Sequence, residues 1–372
     1  MARGGALSSV ATSVNLDRVV GMTDKKQILR VTSNNPLRKS IQEAATVLRR
    51  GGLVAFPTET VYGLGANALE KNAVLKIFEA KERPAWDPLI VHVPDTGFAR
   101  SLARNLSPVF DELAHRFWPG PLTLVVEKDP CVPDEVTAKR HTIALRISRH
   151  KVPAMLLEEL NVPIAAPSAN KFGSPSPTRA EHVLRDLGDR VDLIVDGGPT
   201  ILGVESTVLD LTRSTPVILR PGALSREDIE DAIGKVELAP GVIDEVAADG
   251  LAGPGMTLKH YAPRTRLELF DGQLHEIMAS MVERAASLQQ RNTAVGAIVS
   301  NEMIISMERH SDYLSSFGRW GEWLKYAQKL FAGLRALDSY GLVVILCPLP
   351  PAEGIGLAIR DRLLRAAGKT SP

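Results

Sequence analysis

Apolar positions along the chain change period repeatedly, and each change marks the edge of an element. Over residues 38–50, Ile41, Ala45 and Leu48 fall on one face at helical spacing, and Gly51-Gly52 ends the helix. Residues 53–57 are a continuous apolar run stopped at Pro57, which predicts a buried strand. Helical spacing returns over residues 71–82 through Val74, Ile77 and Phe78, and Pro84 prevents its continuation. Residues 89–93 predict a short strand and 109–117 a helix. Pro119-Gly120-Pro121 is a hard turn before a strand at 122–126. Further strands are predicted at 143–147, 164–166, 193–195, 206–211 and 217–219. Thr178, with Glu181 three residues on, predicts a capping-box start for a helix ending at Gly188. Ser225 is expected to cap a short helix that stops at Gly234. Strands outnumber helices and the connections are short, so residues 36–235 read as an α+β domain on a mixed sheet.

The pattern then lapses. Residues 236–265 hold Gly241, Gly250, Gly253, Pro254 and Gly255, followed by His260-Tyr-Ala-Pro-Arg264, and read as a linker. From 266 to 372, strands at 267–270, 294–299 and 342–346 alternate with helices at 274–290, 320–337 and 356–367. That order predicts a small C-terminal α/β domain, Rossmann-like in having three layers and a parallel sheet. It lacks a G-x-G-x-x-G after its first strand, so it is not read as a dinucleotide site. Residues 1–35 carry little pattern and are expected to be disordered.

The length of 372 residues accommodates these two domains. A net charge of +1 sets up no global field for nucleic acid or membrane. Cys131 and Cys347 fit no zinc or redox spacing, and no apolar run of 18 residues spans a bilayer. A cytoplasmic location follows as the expectation. Organellar targeting by residues 1–21 is the alternative, weakened by the presence of only two arginines there.

Candidate chemistry gathers where strands end. The strand at 53–57 delivers Thr58, Glu59, Thr60 and Tyr62 into a glycine-punctuated turn. Lys81 sits on the apolar face of its helix in the last turn. It either complements the helix dipole there or points into a cleft. Arg83, one step beyond, carries a planar fork suited to phosphate or carboxylate. Pro167-Ser168-Ala-Asn170 is a turn, and His92 alternates with Val91 and Val93 on a strand. Arg146 in mid-strand needs a partner if buried, and a ligand carboxylate would serve. No Walker A, H-E-x-x-H, G-x-S-x-G or kinase Gly-rich loop is present.

Taken together, Phe56-Pro-Thr-Glu-Thr-Val-Tyr-Gly-Leu64, Phe78-Glu-Ala-Lys81-Glu-Arg83-Pro, Pro88-Leu-Ile-Val-His92, Pro119-Gly-Pro-Leu-Thr123, Leu145-Arg146-Ile, Ala166-Pro-Ser-Ala-Asn170, Glu205-Ser-Thr207 and Leu219-Arg220-Pro-Gly222 resemble the YrdC-domain family, the L-threonylcarbamoyladenylate synthases. The linker motif at 260–264 and the final Gly356-Leu-Ala-Ile-Arg-Asp-Arg-Leu-Leu-Arg365 resemble its two-domain branch. The resemblance implies a YrdC-like twisted sheet with a concave cavity. It also implies a nucleotidyltransferase that joins L-threonine, bicarbonate or CO2 and ATP into threonylcarbamoyl-AMP with release of pyrophosphate, with Mg2+ on the phosphates. A partner complex then transfers the threonylcarbamoyl group to adenosine 37 of tRNAs reading codons that start with A, giving t6A. Thr60, His92, Arg146 and Ser206 match threonine-site positions. Arg83, Asp87, Thr142, Ser168, Ser176, Arg220 and Tyr261 match ATP-site positions. Lys81 and Asn170 complete signatures that face phosphate, and Lys81 with Arg83 is assigned the catalytic charge stabilisation. Asp87 departs from the asparagine common at that position. Tyr261 suggests that the linker closes as a lid. A carbamoyltransferase-type YrdC domain and a non-catalytic RNA-binding module are the rival readings. The missing zinc-type cysteine pairs disfavour the first, and the near-neutral charge disfavours the second.

Overall fold

The computed structural model describes residues 28–32, 35–239 and 260–368. The first domain contains strands β1 (Ile28–Arg30), β2 (Val54–Pro57), β3 (Tyr62–Asn67), β4 (Ile90–His92), β5 (Ala103–Arg104), β6 (Leu122–Lys128), β7 (Thr142–Arg146), β8 (Ile164–Ala165), β9 (Leu193–Asp196), β10 (Thr207–Asp210), β11 (Val217–Arg220) and β12 (Glu237–Leu238). Its helices are α1 (Arg38–Arg49), α2 (Lys71–Lys81), α3 (Thr96–Ser101), α4 (Pro108–Phe117), α5 (Asp134–Thr137), α6 (Lys151–Leu160), α7 (Ala180–Leu187) and α8 (Arg226–Ile233).

The strands form one mixed sheet in the order β1-β9-β2-β3-β8-β4-β7-β6-β10-β11-β12, with β5 pairing the end of β6 at Glu127 and Lys128. Two cores bind helices to it. In one, α1 and α6 bury Ile41, Leu48, Leu156 and Leu157 against Val54, Phe56 and Val195. In the other, Leu113, Ile77 and Ile229 pack on Leu124, Leu145, Val91 and Ile218. Each such side chain, fully buried, contributes roughly 1.5–3 kcal/mol. Strand alternation sends the other residues to the opposite face. Thr123 and Val125 on β6, Ala144 and Arg146 on β7, Ile90 and His92 on β4, and Val208 on β10 share that face by period. Its centre is apolar: Ile90, Val125, Ala144, Val208, Val217 and Leu219 pack together, with Trp86 at the margin.

The second domain is three-layered, as the sequence implies, with one strand more. Strands β13 (Arg266–Phe270), β14 (Val295–Val299), β15 (Tyr313–Ser316) and β16 (Val344–Pro348) lie in the order β13-β16-β14-β15, and every neighbouring pair is parallel. Helix α9 (Leu274–Gln290) and the short α10 (Ile304–Met307) cover one face, while α11 (Trp323–Asp338) and α12 (Gly354–Ala366) cover the other. The α11–α12 side also meets the first domain, because Val61, Val204 and Tyr261 belong to the same apolar cluster as Leu330, Phe331 and Leu363. The approach is close enough to demand a glycine. Gly203 has φ +78°, and a Cβ there would lie 2.3 Å from the Ala327 carbonyl oxygen.

Several expectations are corrected. Residues 28–30 pair in parallel with β9, so the sheet begins inside the stretch expected to be disordered; residues 1–27 and 33–34 lie outside the described residues. The glycine-punctuated segment after Thr60 is a strand, β3, rather than a turn. Thr178 does not cap α7: Arg179 holds that position without a side-chain bond, and the Thr178 amide donates to His182 Nδ1 (3.2 Å). Ser225 does cap α8, accepting from the Asp228 amide at 3.1 Å.

Candidate active site

The turn between β2 and β3 is built by its own hydroxyl. Thr58 Oγ1 donates to the Val61 carbonyl (2.7 Å) and accepts from the amides of Thr60 and Val61, a side-chain turn that competes with further strand. Thr60 Oγ1 lies 2.8 Å from Thr58 Oγ1 and accepts from Arg146 Nη1 at 3.0 Å. Arg146 reaches it from the end of β7, where register sets it beside His92. Thr123 Oγ1 on β6 and Ser206 Oγ, just before β10, are 2.8 Å apart. Arg220, closing β11, donates to the Ser206 carbonyl (3.0 Å) and hydroxyl (3.2 Å).

Apart from Thr123, these groups line one pocket, partly open to solvent. Thr60, His92, Arg146, Ser168, Ser206, Arg220 and Tyr261 all border it. Five other expected residues, Lys81, Arg83, Asp87, Asn170 and Ser176, stand behind the wall. Lys81 Nζ donates to the Ser168 carbonyl (2.5 Å) and the Asn170 carbonyl (2.6 Å), clamping that loop. Asn170 Nδ2 holds the loop from within, donating to the carbonyls of Lys171 and Ser174. Ser176 donates to Glu205 Oε1. Arg83 Nη2 bonds the Pro88 carbonyl (2.8 Å) and pairs with Asp87 at 2.9 Å. The fork expected to face phosphate is therefore engaged by Asp87, whose charge is neutralised rather than presented to a ligand. Thr142 is half-buried at the other end of β7 and does not border the pocket.

Lys81 and Arg83 both turn inward although two helical steps separate them by about 200°. The intervening Glu82 makes this possible. It ends α2 in the left-handed conformation (φ +52°), and Arg83 N donates to the Phe78 carbonyl at 2.9 Å, as in a Schellman ending. Lys171 and Arg190 hold the Glu82 carboxylate from outside at 2.7 and 2.6 Å.

Electrostatics divide the pocket. Burial, then the nearby Arg83 charge, depress the Lys81 pKa well below its ordinary value; Asp87 and Asp186 only partly offset them. Burial, followed by Arg83, Lys81, Arg365 and Arg220, likewise depresses His260. This corner is a cation cluster that Asp87, paired with Arg83, and Asp186 only partly offset. Burial and the Arg146 charge push His92 down to about 3, so its imidazole is neutral. Glu59 is held at about 2: burial alone would raise it, but Arg146 and the Ser148 hydroxyl outweigh burial.

Three residues quoted in the motifs above were given no role there and prove central. Glu59 pairs with Arg146 Nη2 at 2.9 Å, so the guanidinium reserved for a ligand carboxylate already has one acidic neighbour. Glu205 lines the pocket and binds Arg362 Nε of α12 at 2.6 Å. Arg362 also stacks over the Tyr261 ring at 4.8 Å. A carboxylate inside a run of small and apolar residues (Val204-Glu205-Ser206) was the signal available. Tyr261 is wedged between the domains, on Phe331 (5.7 Å) and His260 (4.1 Å). Of the linker expected as a lid, residues 240–259 lie outside the described residues.

The family model described as telomere recombination matches residues 46–222, and that of the threonylcarbamoyl-AMP synthase C-terminal domain matches residues 224–368. The threonylcarbamoyl-AMP synthase of Pyrococcus abyssi is 43% identical over 328 residues, covering 88% of this chain and 94% of its own. The chain belongs to the threonylcarbamoyl-AMP synthase family. The Bacillus subtilis synthase is 42% identical over 342 residues, with 91% and 95% covered. A solved structure of P. abyssi Sua5 complexed with L-threonine matches with a TM-score of 0.85 at 40% identity, covering 92% of this chain and 97% of that one. The YrdC-like sheet with a second C-terminal domain is thus the architecture of the synthase family.

Proposed function

We propose that this chain joins L-threonine, CO2 or bicarbonate, and ATP into L-threonylcarbamoyladenylate, releasing pyrophosphate. The observation that carries this reading is the pairing of a polar pocket end with a cation cluster across an apolar floor. Thr60, His92, Arg146 and Ser206 take the amino acid, with Arg146 on its carboxylate beside Glu59. The strip of Ile90, Ala144, Val125 and Leu219 suits the flat face of a base, and Thr142 lies on the same face beyond Ala144. Asp87, Ser168, Asn170, Ser176, Arg220 and Tyr261 surround the nucleotide, directly or by fixing its walls.

Lys81 and Arg83 supply positive charge whose mutual repulsion a triphosphate relieves. Among the described residues, no group of three or more His, Cys, Asp or Glu converges to hold a metal ion. Glu59 and Glu205 are already paired with arginines. Mg2+ is assigned to the nucleotide as MgATP, where it would offset phosphate charge.

The amine of threonine, having lost its ammonium proton, adds to the carbon of CO2, and release of a second proton from nitrogen to solvent gives the carbamate. A carbamate oxygen then attacks the α-phosphorus, the α–β phosphoanhydride bond breaks, and pyrophosphate leaves with the electron pair. The enzyme contributes position and fixed charge rather than a nucleophile. His260 and Tyr261 close the pocket against the second domain, excluding water from the labile carbamate. The product is proposed to feed a transferase complex that forms t6A at adenosine 37 of tRNA. Pyrophosphate release measured with and without threonine and bicarbonate tests the reading. Dependence on both is expected, and release indifferent to threonine would overturn it.

A further inference from the structure

We propose that Arg362, on the last helix of the second domain, is a positioning residue for the pocket, fixing Glu205 and through it Ser206 and Tyr261. This rests on the function proposed above and adds that the second domain is a working part of the site.

Arg362 is the largest of the fully buried side chains. Its neighbours on α12, Ala358, Ile359, Leu363 and Ala366, pack into the inter-domain apolar cluster, and the guanidinium crosses that layer to the first domain. Three contacts fix it. Nε donates to Glu205 Oε2 (2.6 Å), Nη1 to Asp361 Oδ2 (2.5 Å), and the guanidinium carbon stands 4.8 Å over the Tyr261 ring. Asp361 is held in turn by Arg365 Nε at 2.9 Å.

Glu205 is the hub on the other side. Its second oxygen accepts from Ser176, and its carbonyl accepts from the Ala223 amide (3.0 Å). The next residue, Ser206, carries the hydroxyl and carbonyl that Arg220 binds. A chain of direct contacts therefore runs from α12 to the pocket wall. Burial would raise the Glu205 pKa, but Arg362, Arg220 and the Ser176 hydroxyl hold it low, so the carboxylate is charged.

Docking the domains does not rest on this pair alone. A second fastening exists, in which Arg335 of α11 binds the Asp186 carboxylate (2.8 Å) and the Pro175 carbonyl. Gln328 adds a bond to the Ile201 carbonyl at 2.7 Å, and Gly203 meets the α11 backbone. If docking were the only task, apolar residues of similar volume would serve as well or better than a buried ion pair. The charge on Arg362 instead specifies where Glu205 points.

The test uses the full chain in four forms: wild type, Arg362→Met, Arg362→Lys and Arg335→Met. Thermal melting and threonine- and bicarbonate-dependent pyrophosphate release are measured on each. Arg362→Met is expected to lose about 10- to 100-fold in kcat/KM, the scale of a misplaced wall. Arg362→Lys should recover part of that loss. Arg335→Met should lower Tm while keeping kcat and KM within about twofold. Wild-type kinetics in Arg362→Met, or an equal kinetic loss in Arg335→Met, would overturn the proposal. Should Arg362→Met not fold, Arg362→Lys decides, and unchanged kinetics there count against positioning. Absence of threonine-dependent release from the wild type would remove the proposed function itself, and this inference with it.

Discussion

The two sheets of this molecule bury opposite things. In the first domain the concave face carries His92, Thr123, Arg146, Ser206 and Arg220 at strand ends, all buried and most bonded to one another. In the second domain β14 and β16 are apolar throughout (Val295 to Val299, Val344 to Pro348), as expected of parallel strands covered on both faces. Its buried charges, Arg335, Asp361, Arg362 and Arg365, sit on α11 and α12, the helices turned toward the first domain. Buried charge is costly, so a fold concentrates it where some other requirement outweighs the cost. By that measure, the first sheet is a site and the second is a support whose one polar face looks at the site.

Substitutions can break or sharpen this contrast. The largest effect is expected for Glu59→Ala, which leaves the Arg146 charge buried without its carboxylate. We expect a loss of about 3–5 kcal/mol in chemical denaturation. A loss below 1 kcal/mol would mean that water replaces the carboxylate.

Lys81→Ala should lose about 2.7–4 kcal/mol of transition-state stabilisation, read from kcat/KM for pyrophosphate release, with secondary structure retained by circular dichroism. Full activity would remove Lys81 from the catalytic assignment.

Acid should strike the first domain through its histidines. His92 and His182 have folded pKa values of about 3, below the ordinary 6.5, so the native state binds fewer protons than the unfolded chain between those limits. Their contribution is fully present above pH 6.5 and is lost as pH falls toward 3, with a slope approaching about 1.4 kcal/mol per pH unit for each imidazole. Tm measured against pH should fall more gently in His92→Gln. An unchanged slope would show that another group carries the effect.

In the second domain, Ile298→Val trims an apolar core and should cost about 0.5–1.5 kcal/mol, with KM for threonine unchanged. The smallest effect is expected at Glu82→Gly. The glycine suits the left-handed residue but forfeits two exposed ion pairs, so Tm should move by the equivalent of less than about 1 kcal/mol.

Elements with an unambiguous period were legible in the sequence. Helix α9 spans the residues expected of it, and α1 and α2 differ by one residue at the end. Those without one were missed. Strand β3 reads Tyr-Gly-Leu-Gly-Ala-Asn, too poor in branched residues to look like a strand; neighbours on both sides hold it. Helix α6 carries Pro153 in its first turn, which hides its start although proline is tolerated there. Strand β15 is a short edge strand, so the second sheet has one strand more than its sequence pattern implied.

At the site, the residues that converge were legible because their motifs are local. Arg146 and Thr60 meet at 3.0 Å, yet their acidic partner Glu59 was passed over, although it lies between Thr58 and Thr60. Arg362 was illegible for a different reason. Its partner lies 157 residues away, and nothing in a helix of alternating leucines and arginines says which arginine is buried.

Gly203 carries a consequence for how such a protein changes over generations. Its amide donates to the Thr60 carbonyl at 3.1 Å, while its Cα rests on the α11 backbone at Ala327. One hydrogen atom thus separates the substrate-side turn from the other domain. The two halves are not interchangeable modules. A C-terminal domain transplanted from a relative would have to bring its helix backbone to the same place to within a few tenths of an ångström. Any side chain gained at position 203 would be felt in both halves at once, so selection at this position sees the pair and never one domain alone.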